Sequence, residues 1–77
     1  MLRTLLKTGE FAIEHYTVAV RYFESKTPRG CRRYSAEIVL GPDDHVILDD
    51  DSVTTLEARM VRLVPATVYS RLLARTA

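Results

Sequence analysis

Nucleophilic and soft-ligand chemistry in this sequence could come only from Cys31, His15 and His45. A thiolate mechanism needs the cysteine and a histidine to meet in space, with a third group orienting the imidazole. Cys31 lies among Arg29, Arg32 and Arg33, cationic neighbours of the kind that activate a thiol. Neither histidine is expected beside it and no motif links the three, so no catalytic residue is assigned and the chain reads as non-enzymatic.

The run Asp49, Asp50, Asp51 offers the carboxylate oxygens that calcium and magnesium take. A calcium loop of the EF-hand type, however, spaces its ligands at alternate positions, turns on a glycine at the sixth and closes with a glutamate at the twelfth. This run has none of those features. With Ser52 behind it, it fits the start of a helix, where a hydroxyl caps backbone N–H groups and negative charge is favoured. No metal site, cofactor or small-molecule substrate is expected.

A third constellation is basic. Arg21, Lys26, Arg29, Arg32 and Arg33 are interleaved with Tyr22, Phe23 and Tyr34, the mixture of cations and stacking rings that nucleic-acid surfaces use. Against that reading, the chain carries a formal net charge of only +1. Its pI is near 7.9, and nucleic-acid domains usually lie above about 9. Nucleic-acid binding through these five residues is therefore the alternative. The charges are also sorted along the chain. Residues 37–57 hold Glu37, Asp43, Asp44, Asp49, Asp50, Asp51 and Glu57 without one lysine or arginine, and Arg59, Arg62, Arg71 and Arg75 follow. Separated blocks of this kind bear on partner choice and self-association.

The elements that must position these residues follow from periodicity. Leu2, Leu5 and Leu6, with Gly9 after them, predict a short N-terminal helical turn over residues 2–8. Tyr16, Val18, Val20 and Tyr22 alternate with Thr17, Ala19 and Arg21 as a strand does. Phe11 and Ile13 alternate in the opposite phase, which predicts one strand over 11–23 with a bulge near Glu14 and His15. A second strand over 32–40 follows the loop containing Pro28 and Gly30. The turn Gly41-Pro42-Asp43-Asp44 then leads to a short third strand at 45–49.

Beyond Ser52, the stripe Val53, Leu56, Met60, Leu63, Val64 predicts a helix. A second stripe of Val68, Tyr69 and Leu72 is displaced from it, and Pro65 disfavours helical angles at Val64, so a break or kink is expected there. Val68, Tyr69, Leu72 and Leu73 would then face a protein partner or a second copy.

The order helix, strand, strand, strand, helix resembles that of double-stranded RNA-binding domains. The chain departs from that family in its much shorter first helix and in Asp49, Asp50 and Asp51, which stand where the family has a lysine-rich helix start. It is not assigned to the family.

The expected architecture is a single α+β domain over residues 1–77: a three-stranded antiparallel meander with the C-terminal helix packed on one face. At 77 residues only about 60% of the unfolded chain's surface is buried, and the small core favours support from a second copy. A single cysteine excludes an intramolecular disulfide, no apolar run reaches membrane-spanning length, and a cytoplasmic location is expected. The role that fits is a small protein-interaction or scaffold module, with itself as one partner.

Overall fold

The computed structural model describes residues 3–76, with side chains described through residue 74. The fold is α+β. Four antiparallel strands, β1 (Thr4–Ile13), β2 (Tyr16–Lys26), β3 (Arg32–Gly41) and β4 (Asp44–Asp50), lie in chain order in one sheet, and α1 (Val53–Thr76) follows them.

The expected count of three strands is corrected to four, and the reason lies in the phase reversal around Glu14. With a two-residue turn at Glu14-His15, Ile13 pairs with Tyr16, Phe11 with Val18 and Gly9 with Val20, so from Lys7 to Ile13 each odd-numbered residue of β1 meets an even-numbered residue of β2. Both sets then point to one face. The reversal that predicted a bulge in one strand is the signature of a tight hairpin between two. Glu14 takes the left-handed conformation, with φ 54°, at the position where such turns favour glycine.

The predicted N-terminal helical turn is likewise replaced, by β1; Leu2 lies outside the described residues. So short a helix is marginal in water, whereas the same residues gain a full ladder with β2. A register shift between Leu5 and Lys7 is the bulge actually present in this region. With β1 a strand, the order that resembled double-stranded RNA-binding domains is gone.

One face of the sheet is covered by α1. Val18, Val20 and Tyr22 of β2 and Ala36 and Ile38 of β3 meet Leu56, Met60, Val64 and Val68 in the buried core. Phe11, Tyr34, Val46, Leu48, Leu63 and Leu72 pack around them. The helix starts as its sequence predicts: Ser52 Oγ accepts from the Thr55 N–H at 3.4 Å and the Ser52 carbonyl from the Leu56 N–H at 3.1 Å.

The expected break at Pro65 does not occur, for α1 runs through it. A proline in a helix interior costs about 3 kcal/mol. Val64 and Val68 on either side are buried, and each such burial contributes about 1.5 to 3 kcal/mol, enough to hold the helix in place. The carbonyl left without a donor belongs to Val61, on the exposed side. The two apolar stripes are one, Leu56, Met60, Val64, Val68 and Leu72, advancing four residues at a time along the sheet.

Candidate interaction surface

The residues of opposite phase form the second face of the sheet, and among the described residues nothing lies over it. Across its middle, Arg21 of β2 is directly paired with Glu37 of β3, and Ile47 of β4 stands beside them. Arg21 Nη2 lies 2.8 Å from Glu37 Oε1, and His45 Nδ1 lies 3.0 Å from Glu37 Oε2. Both carboxylate oxygens are thus engaged, and Glu37 is only 8% exposed although no second layer covers it. The side chains around it provide the cover. Arg3 places its guanidinium 4.2 Å above the Phe23 ring on the same face, a cation–π contact.

The carboxyl of Glu37 is held below its ordinary value, first by the hydrogen bond with His45 and then by the charges of Arg21, His45 and Arg3, against burial, which acts the other way. Arg21 Nε is buried without a hydrogen-bond partner. Ser35 is buried beside the cluster, while Leu5 and Ile47 are exposed on either side of it. The arrangement holds fixed charge within an apolar frame. Sequence reasoning missed this cluster. The signal was present in the hairpin of β2 and β3, whose register sets Arg21 opposite Glu37, but only once the register is known.

The residues singled out from the sequence are dispersed. Of the four assigned to a protein interface, Val68 is buried in the core and Leu72 is packed against it, so both are corrected to core positions. Tyr69 is exposed and its hydroxyl donates to Glu14 Oε1 at 3.0 Å, and Leu73 is exposed beyond it. Instead of one patch, the helix presents two inward and two outward residues.

The five basic residues are split between faces. Arg21 and Arg33 belong to the uncovered face, Lys26 and Arg32 to the opposite one, and Arg29 to the loop between β2 and β3. Arg32 Nε lies 3.4 Å from Glu24. The rings that would stack on bases are engaged, Tyr22 and Tyr34 with the core and Phe23 under Arg3.

Cys31 is exposed at the base of the same loop. His45 pairs with Val39, roughly 26 Å along β3 from Cys31 at about 3.3 Å per residue, and His15 lies in the turn at the other end of β2. A cysteine–histidine pair cannot form. Asp50 is bound by Arg59 Nη1 at 3.2 Å, and the Asp49 carbonyl accepts from the same nitrogen at 3.3 Å. The aspartate run therefore anchors the helix to β4. Among the described residues, no group of three histidine, cysteine or acidic side chains is placed to hold a metal ion, and no helix is long and apolar enough to cross a membrane.

Compared with protein-family models, with curated proteins and with solved structures, the chain matches none.

Proposed function

We propose that this chain is a small non-enzymatic interaction module that self-associates through the uncovered part of its sheet. One observation carries the reading: α1 covers one face only, and the other side holds a buried charge cluster flanked by exposed Leu5 and Ile47. Strands about 4.8 Å apart and about 3.3 Å per residue give a four-stranded face of ten residues roughly 600 Å² per copy. Two copies would bury about 1,200 Å², the lower end of a specific interface. The face carries Arg3, Arg21 and Arg33 with Glu10, Glu37 and Asp49, so opposite charges are present for a second copy to complement.

Nucleic-acid binding has less support, because the cations are divided between two faces and the rings are engaged. Sedimentation from low to high micromolar concentration tests the reading, with a rise from the mass of one chain toward that of two expected. A single-chain mass throughout would defeat it. Steep, salt-dependent binding of mixed oligonucleotides by that single chain would favour the alternative.

A further inference from the structure

The sheet has two edges, β1 and β4, and they differ in a way that bears on how a second copy would dock. Native proteins guard edge strands with bulges, prolines and charged side chains, lysine above all, because an edge is a row of backbone donors and acceptors that another strand can pair. The β1 edge carries such guards: a register shift between Leu5 and Lys7, and Lys7 itself. From His45 to Asp50, β4 contains no bulge, lysine or proline, and of its charged side chains Asp44 and Asp50 are held by Arg71 and Arg59 of the same chain. At its midpoint stands Ile47, 54% exposed.

We propose that β4 is the self-association edge, pairing antiparallel with β4 of a second copy about a two-fold axis at Ile47, so that two four-stranded sheets become one sheet of eight strands. The proposal rests on the self-association reading, moves the contact from the uncovered face to the β4 edge beside it, and adds the register.

The register follows from the side chains. A two-fold at Ile47 sets Ile47 against its own copy, His45 against Asp49 of the other chain, and Val46 against Leu48. Residues directly opposite on one face have Cβ atoms about 4.5 to 5.5 Å apart. The axis therefore produces two histidine–aspartate pairs on the uncovered face and two apolar pairs on the helix side. It also sets Asp44 against Asp50, a meeting of like charges that the monomer has already answered. Asp44 holds a two-pronged contact with Arg71, at 2.8 and 3.1 Å, and Asp50 is bound by Arg59. One edge group is engaged, the Asp49 carbonyl by Arg59, and a carbonyl keeps a second lone pair for a neighbouring strand.

A second observation lies on the helix. An axis perpendicular to the sheet puts both helices on the same side. Arg59, Leu63 and Ala66 fall within about 60° of one another around α1 at 3.6 residues per turn, on the flank that Arg59 turns toward β4. With Arg62 they line an open recess of about 400 Å³. In the paired sheet the two recesses would face each other above the new strand pair and extend the contact beyond seven residues of edge. Pairing at an edge is an established mode of association in which backbone bonds give affinity and alternate side chains give specificity.

The experiment compares wild type with I47K, D49K and A19R, the last placing a charge at the centre of the uncovered face, by sedimentation. Hydrogen exchange of residues 44–50 is measured at low and high protein concentration, and circular dichroism checks that each variant folds. If β4 is the edge, I47K weakens association by at least about tenfold. D49K weakens it by about threefold, A19R leaves it unchanged, and the amides of β4 exchange more slowly at high concentration. A wild type that self-associates, loses association in A19R and keeps it in I47K would overturn the edge while leaving the self-association reading intact. A wild type that stays monomeric would overturn both. Should I47K fail to fold, a dimeric wild type whose β4 amides exchange at a rate independent of concentration overturns the proposal by itself.

Discussion

The two faces of this sheet bury side chains by different physics. On the helix side Val20, Ile38, Leu56, Met60 and Val64 are fully enclosed and none is polar, so burial itself stabilises them. On the other side Glu37 and Ser35 are nearly as hidden, yet what hides them is a set of charged and aromatic neighbours lying flat on the strands, Arg3, Arg21, Phe23 and His45. An apolar side chain needs only a neighbour. A carboxylate needs each of its oxygens answered, because a buried charge without a partner costs several kcal/mol. A face that depends on pairing loses stability when one partner is removed, whereas a face that depends on packing loses it in proportion to the volume removed.

The sharpest way to break the comparison is to truncate one residue on each face. Leu56→Ala should destabilise by about 2 to 5 kcal/mol, since the helix face closes around that side chain. Ile47→Ala, measured in dilute monomer, should cost well under half as much, because Ile47 is already half in water. Equal losses in urea denaturation would mean that the open face is packed after all.

A smaller effect is expected at Glu37. Glu37→Ala should cost about 1 to 3 kcal/mol, the penalty of leaving Arg21 and His45 unanswered. Because Arg21 is partly exposed, the cost should stay below that of a fully buried pair. The pH dependence has a definite sign. The folded carboxyl has a pKa below its ordinary value of 4.5, so the folded state binds fewer protons than the unfolded state in that range. The contribution of Glu37 to stability is complete above that value and is lost as pH falls below it toward the lowered folded pKa. In Glu37→Gln that part of the acid dependence should vanish, and an unchanged acid limb in the melting curves would show that the cluster is not coupled to folding.

The smallest effect concerns the turn that assigns residues to faces. Glu14 holds a left-handed conformation and also accepts from Tyr69. Glu14→Gly and Glu14→Ala both lose the hydroxyl contact and differ only in backbone freedom. The glycine variant should therefore be the more stable of the two by about 1 kcal/mol. Identical melting temperatures would argue that the Glu14-His15 turn is not held as described, and with it the register that keeps Phe11 and Val18 on the same side.

Much of the covered face was legible from residue types and spacing. The alternation in 16–22 and 32–40, the cap at Ser52 and the stripe Leu56, Met60, Val64 are local patterns, and local patterns set strands, caps and helix faces. The N-terminus was misread because Leu2, Leu5 and Leu6 fit a helical spacing, while what decides for a strand is a ladder with β2, a non-local gain. The break expected at Pro65 is absent for a similar reason: the local cost of proline is visible in sequence, whereas the burial of Val64 and Val68 that outweighs it depends on the sheet.

The sequence by itself determined the strand and helix residues of the core and the charge blocks. Only the tertiary structure decided that Val68 and Leu72 point inward, that the basic residues divide between two faces, and that Arg21, Glu37 and His45 meet. For Val68 and Leu72 the physical reason is that α1 continues through Pro65; for the sheet it is that side-chain direction has a period of two, so a one-residue change of turn or register moves every residue after it to the other face.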